Sequence, residues 1–125
     1  MPWSFQADTP IYTQLVARLQ EQIVSGAYPP GSKLPSVRDL AADAGVNPNT
    51  VQRAFAELER LGLIYTQRTS GKFVTEDAAA IDAARRALAE GQTRQYLAAM
   101  RALGCGKQEI HNLFDQMEEQ EHADL

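Results

Sequence analysis

The sequence is short of almost everything an enzyme, a membrane protein or a secreted protein needs. It has a single cysteine, Cys105, which excludes an intrachain disulfide. No apolar run approaches the roughly 20 residues that cross a bilayer, so no membrane partner is expected. The start, "MPWSFQADTP", lacks a basic stretch followed by an apolar core, so it does not read as a signal peptide, and a cytoplasmic protein is expected. Only two histidines occur, His111 and His122. With Cys105 they match no compact ligand spacing, so no metal and no cofactor is expected. No acid–base pair, nucleophile with its base, or phosphate-binding loop is visible, which argues against an enzyme. Cys105 reads as a small buried residue; sensing oxidant would need a bridge to a second molecule.

A basic surplus is also missing. The net charge is −4 over 125 residues, which at first argues against nucleic acid, because phosphate contacts require Lys and Arg. The charge is uneven, however. Residues 1–76 hold seven basic and seven acidic side chains, and residues 77–125 hold five against nine. The acidity belongs to the tail, and over residues 33–72 the balance is +2.

What is present is a strong pattern of helix signals. A hydrophobic share of 44% fits a globular chain with one core and an appendage. In "TPIYTQLVARLQEQIVSG", Thr9 is placed to cap with Pro10 at the first helical position, and Ile11, Leu15, Leu19 and Ile23 recur every four residues before Gly26. "AYPPGSKLPS" reads as a fixed, extended connection. Ser36 and Asp39 form a capping box for a short helix with Val37, Leu40, Ala41 and Ala44 inward, ended by Gly45. Asn47 then caps, Pro48 takes the first helical position, and Val51, Ala54, Phe55, Leu58 and Leu61 make a buried stripe up to Gly62.

After Gly62 the period changes. "LIYTQ" and "KFVT", separated by the four residues "RTSG", read as a β-hairpin. Three helices and a hairpin in this order make a winged helix-turn-helix, with the hairpin as wing. Tyr12, Leu15, Phe55, Leu58, Leu63 and Ile64 are expected in its core, with Trp3 and Phe5 against the first helix or a partner's tail. From Glu76 the chain turns Ala-rich and acidic and reads as helical, Gly91 leaving open whether a helix breaks there; a last helix carries Ile110, Leu113, Phe114 and Met117. Two such helices cannot bury their own apolar faces, so a second copy is expected to cover them. The fold class is therefore mostly α with a small β-hairpin: a winged helix-turn-helix over residues 1–76 and a two-helix dimerisation tail over 77–125.

The stretch from Pro10 to Val74, "PIYTQLVARLQEQIVSGAYPPGSKLPSVRDLAADAGVNPNTVQRAFAELERLGLIYTQRTSGKFV", resembles the GntR family of bacterial transcription regulators. The run "PGSKLPS.R.LA...GVNPNTV" is specific to that family. In the wing, Ser70 stands before Gly71-Lys72-Phe73 where a glycine-rich run is commoner. The short tail resembles the YtrA-like subfamily, so the resemblance implies a homodimer held by the tail helices and no large effector domain; no small-molecule effector is identified.

The resemblance places the helix from Asn47 to Leu61 in the major groove of double-stranded DNA, and the side-chain chemistry fits. Asn pairs with adenine, Thr with several base edges and Arg with guanine, so Asn49, Thr50 and Arg53 are assigned to direct readout, with Gln52 as a further candidate. Asn47 is a candidate contact whose capping role already accounts for it. Arg38 corresponds to a family position that contacts phosphate; Ser36 and Lys33 are candidate backbone contacts. In the wing, Arg68, Thr69, Gly71 and Lys72 are candidates for the minor groove or its phosphates. Some relatives carry arginines where this chain has Pro48 and Gln52, so the operator is its own. The expectation is a dimeric repressor on an inverted repeat. The alternatives are a winged helix that docks a protein partner, and a regulator with a small apolar ligand between the tail helices.

Overall fold

A computed structural model describes residues 3–123. Its elements are α1 (Ile11–Val24), α2 (Val37–Ala44), α3 (Pro48–Arg60), β1 (Ile64–Gln67), β2 (Gly71–Val74), α4 (Ala78–Ala102) and α5 (Lys107–Ala123). They form two compact units, residues 1–88 and 89–125, with α4 running across the boundary. The fold is thus mostly helical with a two-stranded antiparallel hairpin, and the order is that of a winged helix with further helices behind it.

In the first unit, α1 buries Leu15, Leu19 and Ile23. The helix starts one residue later than its sequence suggests. Pro10, with ψ 136, is the N-cap and receives no side-chain bond, while the Thr9 hydroxyl turns to Asp8. Gln14 takes over the tie: its Nε2 donates to the carbonyls of Thr9 (2.8 Å) and Gln6 (2.7 Å), and its Oε1 accepts from the Gln6 amide. The leader is thereby pinned to the first turn.

The helix-turn-helix follows from its caps. Ser36 Oγ accepts from the Asp39 amide at 3.0 Å and starts α2. Gly45, at φ 71, ends it in the left-handed conformation that residues with a Cβ avoid. Two residues later Asn47 Oδ1 accepts from the Asn49 amide at 2.8 Å, with Pro48 at the first helical position, and α3 begins. Val51, Ala54, Phe55 and Leu58 are buried and pack α3 against α1 and α2. Leu61, expected in this stripe, is 40% exposed. The helix ends there in a Schellman turn, with Leu63 N–H donating to Leu58 O and Gly62 N–H to Glu59 O, so Leu63 enters the core instead.

In the hairpin, Ile64 pairs with Val74 and Gln67 with Gly71. The connection is therefore three residues, Arg68 to Ser70, rather than four; Gly71, at φ 106, already belongs to β2. A third edge, absent from the sequence expectation, comes from the proline-rich connection. Leu34 N–H donates to Lys72 O, Gly31 N–H to Val74 O and Val74 N–H to Ser32 O, with Lys33 bridging Phe73. The prolines cannot donate, but Gly31 and Leu34 between them can. α4 starts with Asp77 Oδ1 accepting from the Ala79 amide. Its Ile81 joins the core, and Arg85 donates twice to Val24 O, satisfying a carbonyl at the end of α1.

In the second unit, α4 passes through Gly91 without a break. Gly104, at φ 89, turns the chain toward α5. Among the described residues of this unit only Ile110 is buried, whereas Tyr96, Leu103, Phe114 and Met117 are exposed. A groove of about 620 Å³ lies between the two helices, lined in part by Ala89, Tyr96, Phe114 and Met117.

Candidate nucleic-acid interface

The buried stripe of α3 determines which residues remain outside. With Val51, Ala54, Phe55 and Leu58 inward, Asn49, Gln52, Arg53 and Ala56 form the exposed face, and Thr50 is half-buried beside it. This is one face of a 3.6-residue repeat, carrying amides and a guanidinium but no carboxylate. Asn47 is exposed, and its side-chain oxygen is committed to the cap. Its amide donors are not needed for that bond.

Arg53 carries a contact that the sequence did not suggest. Its Cζ lies 4.3 Å from the ring centroid of Tyr12 on α1, a cation–π stack. Tyr12, expected in the core, is half-buried and packs against it. One turn beyond Arg53, Glu57 is held by Arg60 through two bonds, of 2.9 and 2.5 Å. That pairing lowers the Glu57 carboxyl and raises the Arg60 guanidinium from their ordinary values.

Arg38 stands exposed in the first turn of α2 and has no partner among the described residues. Ser36 beside it uses its oxygen as the cap, which leaves the hydroxyl proton to donate elsewhere. Lys33 is exposed on the third edge of the sheet, where a Cβ added at Gly71 would come within 3.3 Å of its Cε. Arg68 and Thr69 are exposed in the wing loop.

Lys72 differs from the other wing candidates. It is half-buried, and its Nζ donates to Glu59 Oε1 at 2.6 Å and to Thr66 Oγ1 at 2.7 Å. Thr66 in turn donates to the same carboxylate oxygen. The bond from Lys72, and then that from Thr66, holds the Glu59 carboxyl below its ordinary value. Any phosphate reaching Lys72 must share it with Glu59. The pair also closes the wing onto α3. A groove of about 240 Å³ lined by Val37, Gln52, Ala56, Glu59 and Lys72 joins the start of α2, the exposed face of α3 and β2. Of the sequence-assigned residues, Gln52 and Lys72 line this groove.

The partners of these residues, Tyr12 for Arg53 and Glu59 for Lys72, lie far apart in sequence, and no local pattern marks them. The same holds for Trp3, whose Nε1 donates to Asp43 Oδ2 at 3.0 Å while its ring stacks on Phe5 and carries the Arg18 guanidinium. Trp3 and Phe5 pack on the core of their own chain.

In the second unit, burial first and then the Glu109 carboxylate push the Cys105 thiol up, away from the reactive thiolate. His122 pairs with Glu118 at 2.9 Å. Among the described residues no group of three His, Cys, Asp or Glu side chains is placed to hold a metal, and no helix is long and apolar enough to cross a membrane.

Known proteins share this plan. The family model "Bacterial regulatory proteins, gntR family" matches residues 11–74. The chain is 39% identical to the Bacillus subtilis HTH-type transcriptional regulator YhcF over 85% of its length and 88% of that protein. It is 47% identical to the HTH-type transcriptional repressor YtrA of the same organism over 58% of its length and 56% of that protein. Among solved structures, a GntR family transcriptional regulator from Listeria monocytogenes superposes with a TM-score of 0.82 at 41% identity, covering 90% of this chain and 98% of that one. AraR(DBD) in complex with operator ORX1 superposes with a TM-score of 0.56 at 28% identity, covering 60% and 96%. The chain belongs to the GntR family of DNA-binding transcription regulators, with YtrA-named proteins among its relatives.

Proposed function

We propose that two copies of this chain bind an inverted-repeat operator and repress transcription in the cytoplasm. Residues 1–76 bind DNA and residues 77–125 hold the dimer. The observation that carries this reading is the exposed face of α3, where Asn49, Gln52 and Arg53 stand clear of the core; Arg38, in the first turn of α2, is also exposed and has no partner among the described residues. In the major groove, Asn49, Thr50, Gln52 and Arg53 read base edges, and Asn47 starts the helix at the same place. Arg38, Ser36 and Lys33 hold phosphates, and Arg68, Thr69 and Gly71 bring the wing to the neighbouring minor groove, with Lys72 shared between Glu59 and the backbone. The YtrA relative is named a repressor and the AraR domain is bound to an operator, which supports both halves of the reading. Exposed Tyr96, Phe114 and Met117 support dimerisation through the tail, since a monomer gains nothing by leaving them in water.

Footprinting the purified protein on the DNA upstream of its own gene tests this. Two protected half-sites related by a two-fold axis, with reduced transcription from that promoter, are the expected result. A single protected arm, or raised transcription, would sink it. A second reading rests on the tail groove of about 620 Å³: a small apolar effector bound there would raise the thermal midpoint and shift operator affinity together.

A further inference from the structure

We propose that Tyr12, on α1, is a positioning residue for DNA readout, because its ring fixes the Arg53 guanidinium without consuming any of its hydrogen-bond donors. The inference rests on α3 being the helix that meets DNA. An arginine on an exposed helix face is ordinarily mobile or paired with a carboxylate one turn away. Here the carboxylate one turn on, Glu57, is held by both Arg60 Nε and Nη2. Arg53 is instead engaged over the face of the Tyr12 ring, its Cζ 4.3 Å from the centroid. A carboxylate would occupy N–H donors and cancel the charge; a ring holds the plane by its face and leaves the donor edge for a base or phosphate. Tyr12 itself cannot wander, because it is half-buried in a first turn whose leader is tied down by Gln14. Ordering Arg53 before binding removes a rotamer cost that a free arginine meets on the DNA.

The test uses the full chain and a duplex enriched from a random-sequence library with the wild-type protein, read by fluorescence anisotropy. Tyr12→Phe keeps the ring and should stay within about twofold of wild type. Tyr12→Leu keeps apolar bulk but removes the stack, and should weaken binding roughly fivefold per half-site. Arg53→Ala, an exposed change, should weaken binding at least as much, and the double variant Tyr12→Leu/Arg53→Ala should be no weaker than Arg53→Ala alone. Wild-type affinity in Tyr12→Leu, equal losses in Phe and Leu, or additive losses in the double variant would overturn the proposal. Thermal midpoints of the variants separate the cases: a loss in Tyr12→Leu that tracks unfolding would not be cancelled by Arg53→Ala. If Arg53→Ala and Asn49→Ala both bind like wild type, it is the assignment of α3 to DNA that fails.

Discussion

At the scale of single residues, the proposed interface divides into side chains that position and side chains that specify. Arg38 is exposed and has no partner among the described residues. Arg38→Ala is expected to weaken binding to matched and unmatched duplexes alike, and to lower the slope of log affinity against log salt by about one for each phosphate the side chain neutralises. An unchanged slope would remove Arg38 from the phosphate set. Asn49 sits in the first turn of α3 with its side chain exposed, so Asn49→Ala should cost about 1–3 kcal/mol at one base pair per half-site and leave the others untouched. Selection from a randomised operator library checks this. Caps and periodicity made the outward placement of Asn49 legible in the sequence, whereas the role expected of Arg38 came from the family resemblance. It did not show that Arg53 is held by Tyr12 or Lys72 by Glu59. Each of those pairs depends on where two remote helices, or a helix and a strand, come together.

At the scale of elements, the boundaries written in the sequence are those with local chemistry: Ser36 and Asn47 as caps, Pro48 at a helix start, Gly45 and Gly62 at helix ends. The misplaced ones had mixed causes, beginning with α1, whose N-cap is Pro10 rather than Thr9. Leu61 continued the apolar period on paper, but the Schellman turn at Gly62 substitutes Leu63. The proline-rich connection looked like a spacer, yet its free N–H groups pair with β2. Gly45 makes a clear stability prediction. Its φ of 71 strains any L side chain although the space around it is open, so Gly45→Ala should cost about 1 kcal/mol in urea unfolding. The wing has its own clasp, the Lys72–Glu59–Thr66 cluster. Because the Glu59 carboxyl is lowered in the folded state, its contribution is present above the unfolded value of 4.5 and is lost as pH falls through the folded value. Both partners are about one-third exposed, which keeps the contribution below about 1 kcal/mol. Hydrogen exchange should therefore show β1 and β2 amides opening faster in Glu59→Gln at neutral pH, with little change in global stability. Equal protection in both proteins would show that the clasp does not hold the wing.

At the scale of the whole molecule, an acidic regulator that binds DNA is consistent once its charge is divided. Residues 1–76 are neutral in sum and the entire −4 lies beyond them. With a balance of only +2 over residues 33–72, a single copy gains little from counterion release, and the proposed dimer draws its affinity from two half-sites bound together. On that proposal the exposed tail side chains govern DNA binding although they lie in the other compact unit. Phe114 and Met117 are each 58% exposed on α5, and covering such side chains contributes about 2 kcal/mol apiece. The double change Phe114→Asp with Met117→Glu should leave helical content intact, since both positions already face water in one chain, and should shift the protein to monomer in sedimentation. Affinity for a duplex carrying both half-sites should then fall by about a hundredfold, while affinity for one half-site stays as it was. Monomers that still bound the full site tightly would mean that each winged helix binds on its own. A variant that remained dimeric would move the interface off this face of α5.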